Sequence, residues 1–193
     1  YYFYDGNLKA FLDLGENDKL TISTFGGRDF LEVIFNDKAT EETGFQADWG
    51  NKTGGLRWTR VFSPRLFGNF WVTGSRFTSD FTFEEVEVEE RNMVTDATFK
   101  SHLEYHYSQE LSARFGFEQK NLHVRFLQLF PAGTIDVRSR PEHYALYARR
   151  YWRPGRVWDV GVGLGYNLFR TDWTYHNLEA RLALKYRLTD KIN

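Results

Sequence analysis

Between Thr95 and Lys120 the chain alternates. Ala97, Phe99, Leu103, Tyr105 and Tyr107 fall on one side, interrupted by Ser101. Asp96, Thr98, Lys100, His102, Glu104 and His106 fall on the other. After Ser108-Gln109-Glu110 the pattern resumes, with Leu111, Ala113, Phe115 and Phe117 set against Ser112, Arg114, Gly116 and Glu118. Successive side chains of a strand point to opposite faces. The stretch therefore predicts an antiparallel hairpin with one apolar and one charged face. Each predicted strand is about ten residues, the length a tilted strand needs to cross a bilayer.

The same unit recurs along the chain. Strands are predicted over Asn7–Leu14 and Lys19–Gly27 around the turn Gly15-Glu16-Asn17-Asp18. Trp49–Phe62 and Leu66–Phe77 flank Ser63-Pro64-Arg65, and His143–Trp152 leads through Arg153-Pro154-Gly155-Arg156. Val157–Phe169 is the cleanest: Trp158, Val160, Val162, Leu164, Tyr166 and Leu168 oppose Asp159, Gly161, Gly163, Gly165 and Asn167. Asn177–Leu188 follows, with a turn at Thr189-Asp190-Lys191. Long polar connections are expected at Asp29–Asp48, Thr78–Asn92 and Asn121–Glu142, and a shorter loop at Arg170–His176.

About nine strands and no helix make the expected class all-β, an antiparallel up-and-down barrel. Short and long connections alternate, so every short turn falls at one end and every long loop at the other, as in transmembrane barrels. Alternation alone leaves open which face is outside. A soluble ligand-binding barrel would turn the apolar face inward; a membrane barrel would turn it outward. Three features favour the membrane sense. The polar face mixes Gly, Arg, Glu, Lys and His, as a wet lumen does. Tyr105, Tyr107, Tyr151, Trp152, Trp158, Phe62 and Phe67 cluster beside the short turns like an interfacial girdle. The strands are long and the connections opposite the short turns longer still.

Composition narrows the field. A net charge of −1 supplies no large basic surface for nucleic acid. With no Cys there is neither a disulfide framework nor a thiolate metal site. A mean hydropathy of −0.55 fits a membrane barrel, because half its strand residues face the lumen. The 18% aromatic content is high and suits both strands and membrane interfaces. The chain opens on Tyr1-Tyr2-Phe3-Tyr4 and is read as a processed or partial chain.

Two stretches resemble the barrel of TonB-dependent outer-membrane receptors. The first is WGNKTGGLRWTRVFSPRLFGNF, Trp49 to Phe70. The second runs from Leu146 to Lys191, LYARRYWRPGRVWDVGVGLGYNLFR followed by NLEARLALKYRLTDK. In that family an "LYA…W" strand leads to a short periplasmic turn, a "GLRYN"-like strand, a loop, and then "N-L-E-P-R-L-S-L-x-Y-x-L". Gly163-Leu164-Gly165-Tyr166 and Asn177-Leu178-Glu179-Ala180-Arg181-Leu182 stand in those places, with Ala180 where the family has Pro. The resemblance implies a bacterial outer-membrane location and a barrel larger than these strands, with residues 1–193 a segment of one barrel domain. It also implies a plug inside that barrel and a TonB-type energy-coupling protein acting through the plug. The implied activity is import of a scarce small molecule of the siderophore, cobalamin, metal or glycan class, with outer-membrane lipid around the wall. A self-contained small barrel with a structural or passive-pore role is the alternative.

The polar face supplies the lumen-facing candidates: Lys100, His102, Glu104, Arg114, Glu118, Glu179 and Arg181. His123, Trp173, Tyr175 and His176 are expected in or beside the outer loops, where a ligand would meet them. No catalytic, cofactor or metal set is expected, and the chain is not read as an enzyme. His102 and His106 are about 13 Å apart along a strand, too far to share one ion. The acidic run Glu84–Glu90 matches no cation-loop spacing and is expected to be a solvated outer loop. Gly161, Gly163 and Gly165 lie two apart on one face, leaving room for something close to the inner wall, such as a plug.

Overall fold

A computed structural model describes residues 1–36, 42–155 and 157–187. Arg156, Leu188 and the turn expected at Thr189-Asp190-Lys191 lie outside the described residues. The described chain is one antiparallel sheet of ten strands: β1 (Tyr2–Asp13), β2 (Asp18–Asn36), β3 (Glu42–Ser63), β4 (Leu66–Phe83), β5 (Val88–His106), β6 (Leu111–Phe130), β7 (Gly133–Ser139), β8 (Glu142–Trp152), β9 (Trp158–Arg170) and β10 (Thr174–Tyr186). Nine follow one another as neighbours, and the short β7 folds back on the upper half of β6. Among the described residues β1 and β10 do not pair, so the sheet is open.

The strands are staggered. The cross-strand row that meets β2 at Leu20, two residues from its start, passes Trp58, Phe70, Ser101, Phe117 and Leu146 and meets β9 at Tyr166, eight residues from its start. That is about one residue of shift per strand-to-strand step. With a rise of about 3.3 Å and a spacing of about 4.8 Å, the strands tilt by about 35°, the tilt of a barrel wall.

All three long connections are corrected. Asp29–Asp48 is mostly strand, because β2 and β3 pair from Asp18↔Arg60 to Asn36↔Glu42. Thr78–Asn92 shrinks to the tip Glu84–Glu87, where Glu87 takes a left-handed φ of 48°. Asn121–Glu142 is the rest of β6, then β7, with breaks at Pro131-Ala132 and Arg140-Pro141. The strands are accordingly 18 to 22 residues from β2 to β6, not about ten. At 19 residues β5 is about 60 Å long, twice a bilayer core.

The faces explain why. In the half near the short turns, one face carries Leu20, Leu56, Trp58, Phe70, Val72, Phe99, Leu103, Phe115, Leu146, Leu164, Leu178, Leu182 and Leu184. Leu164, Leu182 and Leu178 are 59, 69 and 73% exposed. This band faces lipid. Its lower rim is aromatic: Tyr105 lies against Tyr107 at 4.7 Å and Trp158 against Tyr186 at 4.6 Å, and Trp58 donates Nε1–H to Asp18 at 2.8 Å. Phe67 and Tyr151, expected in this girdle, point to the opposite face, where Phe67 stacks on His106 and Tyr151 packs against Arg114.

About eleven residues above the short turns the polarity reverses without a break in register. The outward face becomes charged, with Arg28 on Asp48 and Arg91 on Glu89. The inward face becomes apolar: Phe45 lies against Phe81 and Phe83, and Ala47 is 2% exposed. Above the bilayer the outside is water, so charge is stable there and the apolar side turns in.

The hairpin β6–β7 shows how the charged outer half is held. Arg125 and Arg138 stand directly opposite each other, and like charges there are destabilising. Asp136 accepts from both guanidinium groups at 2.6–3.2 Å. Hydrogen bonds from Arg138, then Arg125, hold its carboxyl well below the usual carboxylate range.

Two tests follow from this architecture. In the intact protein, Leu164→Arg should cost about 2–4 kcal/mol in denaturant unfolding from lipid vesicles. Ile34→Arg, on the same outward face above the band, should stay within about 0.5 kcal/mol. The lowered carboxyl of Asp136 makes its pairing stabilising above the ordinary carboxylate value, with loss only as pH falls through the lowered one. Amide exchange in β7 should therefore keep its protection at pH 4, whereas Asp136→Asn should speed that exchange at neutral pH.

Candidate functional site

The polar face opposite the lipid band carries the chemistry. Period-two alternation puts Lys100, His102 and Glu104 of β5 on it, with Arg114 and Glu118 of β6 and Glu179 and Arg181 of β10. All seven predicted residues share that face. Arg114 sends Nε and Nη2 to one oxygen of Glu104, the Nε bond being 2.9 Å, while the other oxygen faces His106 Nε2 at 3.2 Å. Glu104 is 9% exposed, so this cross-strand pair holds a carboxylate largely out of water. Lys100 Nζ reaches Glu118 at 3.0 Å. Arg181 donates to Glu179 at 2.6 Å, and Asn167 links the same carboxylate to His143, each contact 3.3 Å.

Sequence reasoning missed a second cluster on β3 and β4. Arg57 donates twice to Asn69 Oδ1, at 2.8 and 3.2 Å, and Thr59 donates to the same oxygen at 2.7 Å. The Asn69 amide meets His102 Nε2 at 3.1 Å, and His102 lies 4.9 Å from the Trp71 ring. The signal was present in Arg57, Thr59, Asn69 and Trp71, which alternate with Leu56, Trp58, Phe70 and Val72. His102 and His106 thus have separate partners.

The glycine row of β9 has a local explanation. Gly161, Gly163 and Gly165 pair with Tyr151, Arg149 and Tyr147 of β8. A Cβ on Gly163 would stand 2.9 Å from Arg149 Cγ, and one on Gly161 3.6 Å from the Tyr151 ring. Tyr147 turns the other way and covers Gly116 so closely that a Cβ there would lie 2.1 Å from the ring. Gly116, Gly161 and Gly163 accommodate β8's own side chains. Beside this row, hollows on the polar face are lined by Glu104, His106, Arg114, Tyr151 and Asp159 toward the short turns, and by Glu118, His143, Arg149, Glu179 and Arg181 farther up.

The outer-loop candidates separate. His123 is within β6 on the outward face, paired with Thr95. Trp173 is in the β9–β10 turn and 74% exposed. Tyr175 and His176 are in β10, on opposite faces, and His176 Nδ1 lies 2.6 Å from the Tyr166 hydroxyl. The structure does not gather these four into one site. The acidic run is likewise divided: Glu84–Glu87 form the hairpin tip, Glu89 pairs outward with Arg91, and Glu90 accepts from Asn92 on the inner side. Among the described residues no three metal-ligating side chains converge.

No protein-family model matches the chain, and no curated protein matches it. Solved structures do. The ferric yersiniabactin uptake receptor FyuA from Yersinia pestis aligns with a TM-score of 0.62 at 12% identity, covering 97% of this chain and 35% of that one. The alcaligin outer-membrane receptor FauA from Bordetella pertussis gives 0.66 at 12% identity, over 97% and 33%. The unliganded ferric citrate transporter FecA gives 0.59 at 12% identity, over 97% and 34%. The chain spans about a third of the length of these proteins. At such identities the likeness shows the fold: a stretch of transmembrane β-barrel wall.

The pairing at the centre of the polar face is testable. A double-mutant cycle of Glu104→Gln and Arg114→Gln, read by denaturant unfolding, should give a coupling of about 1–3 kcal/mol. The double variant should lose less stability than the two single variants summed, because each single substitution strands the remaining half-buried partner.

Proposed function

We propose that this chain is barrel wall of an energy-coupled receptor in the bacterial outer membrane, importing a scarce small molecule through a lumen that a plug occupies. The carrying observation is the wall itself: a lipid band on one face, a hydrogen-bonded polar face on the other, and strands that project far above the bilayer. The likeness to three receptor and transporter barrels supports this reading. So does the open sheet, since unpaired strand edges are not stable in lipid and require further strands. Residues 1–193 are then one segment of a larger barrel domain.

In that barrel Lys100, His102, Glu104, Arg114, Glu118, Glu179 and Arg181 line the lumen. Arg57 and Arg149 stand beside them with no carboxylate partner among the described residues. Arg149, and the Arg57 N–H groups not already given to Asn69, offer cationic donors to acidic groups of a plug or of a passing anionic ligand. The apolar inner wall above the bilayer, with Trp49, Phe77, Phe45 and Phe81, forms the entrance. Ferric chelates are the first substrate class to test, because the named neighbours are described by ferric yersiniabactin, alcaligin and ferric citrate. A TonB-type protein would drive release through the plug.

Cells producing the intact protein should accumulate a labelled ferric chelate, and dissipating the proton gradient should abolish that uptake. In planar bilayers the purified protein should be electrically silent. Steady open-pore conductance, with uptake indifferent to the gradient, would replace this reading with a passive pore.

A further inference from the structure

The outward face carries one pairing that ordinary strand chemistry does not explain. Lys52 of β3 stands directly opposite Arg76 of β4, and both side chains are exposed. Like charges in this position repel. The chain makes the same juxtaposition at Arg125 and Arg138 and there inserts Asp136 between them. At Lys52 and Arg76 no such group is supplied. Asp48 is locked onto Arg28 at 2.6–2.7 Å, Asp80 lies beside Arg91, and among the described residues neither Lys52 nor Arg76 has an anionic partner. On the same cross-strand row the neighbours are Gly26 and Thr95, neither of them acidic.

The place of the pair says what the missing anion is. Lys52 and Arg76 are eleven and ten residues above the ends of their strands at Ser63 and Leu66. With the wall's tilt this is about 30 Å, the far border of the hydrocarbon core. Directly below them, toward the lipid, Gly54 faces Gly74, followed by Leu56 and Val72. A Cβ on Gly54 would meet nothing within 4 Å, so the surface beneath the two charges is flat and open. A polar anion at that height with an apolar tail descending over a smooth surface is a lipid.

We infer that Lys52 and Arg76 form a binding site for the phosphate of a membrane lipid whose acyl chain lies over Gly54 and Gly74. The two cations hold one phosphate between them, as Asp136 is held between Arg125 and Arg138, and the flat glycine pair lets the chain approach the backbone. Assigning the lipid to the outer leaflet rests on the proposed function; the phosphate site does not.

The test uses the intact protein in nanodiscs of neutral phosphatidylcholine, titrated with lipid A, a phosphorylated outer-leaflet lipid, and with its phosphatase-treated form. Bound lipid is counted by native mass spectrometry. The parent protein should retain the phosphorylated form and release the treated one. Lys52→Gln with Arg76→Gln should weaken retention about thirtyfold, at roughly 1 kcal/mol for each basic residue. Arg65→Gln with Arg150→Gln removes the same charge at the opposite border and should leave retention unchanged. Equal retention of the two lipid forms by the parent would overturn the site whatever the variants do, and so would equal losses in the two double variants. Transport is not a readout, so failure here leaves the receptor reading standing, and failure of uptake leaves the lipid site standing.

Discussion

The wall is governed by the absence of water at bilayer depth. A backbone N–H or C=O there has no solvent partner, so each strand must be paired along its length. A charge there has no hydration, so it must face away from lipid or be neutralised. The antiparallel ladder from β1 to β10 meets the first demand for the described strands except at the free edges of β1 and β10. The sorting of Leu, Val and Phe to one face and of Glu104, Arg114, Lys100 and Glu118 to the other meets the second. Tilt, stagger and the aromatic rim follow from fitting paired strands to a slab of fixed thickness.

The polar face is not simply wet. Its charges are matched across neighbouring strands, Lys100 with Glu118 and Glu104 with Arg114, so the ladder that aligns backbones also aligns ion pairs. Asn69 concentrates three donors on one oxygen and still engages His102 through its amide. Arg57 and Arg149 are among the cations on this face that have no carboxylate partner among the described residues.

The sequence made the lower half of this wall legible and obscured the upper half. From Phe99 to Phe117 and from Trp158 to Leu184 the solvent on each side is constant, so a fixed two-residue phase identifies strand, face and candidate lumen residues alike. Above Thr95, Arg76 and Lys52 the outer medium changes from lipid to water. Phe77, Phe81 and Phe45 turn inward while Asp80 and Asp48 turn outward, and the local pattern no longer continues the one below. Read with one phase, Asp29–Asp48 and Thr78–Asn92 resemble polar connections, although their backbone pairing is uninterrupted. The same change of medium hid the fate of His123, Tyr175 and His176, which occupy strands rather than loops. Arg57 and Asn69 were overlooked for a different reason: Gly54, Gly55 and Gly68 interrupt their hairpin, and glycine carries no face.

The reversal of polarity part-way up each strand also limits how such a chain can change length over evolutionary time. Two residues gained or lost together keep every side chain on its own side. A single residue inserted below the reversal would send Leu and Phe into the lumen and Glu and Lys into lipid. One inserted just above it would expose the aromatic inner wall to the surrounding water. Single insertions and deletions should therefore be confined to hairpin tips such as Glu84–Glu87 or to bulges such as that at Val61 and Ser63, and the paired walls between them should vary by substitution.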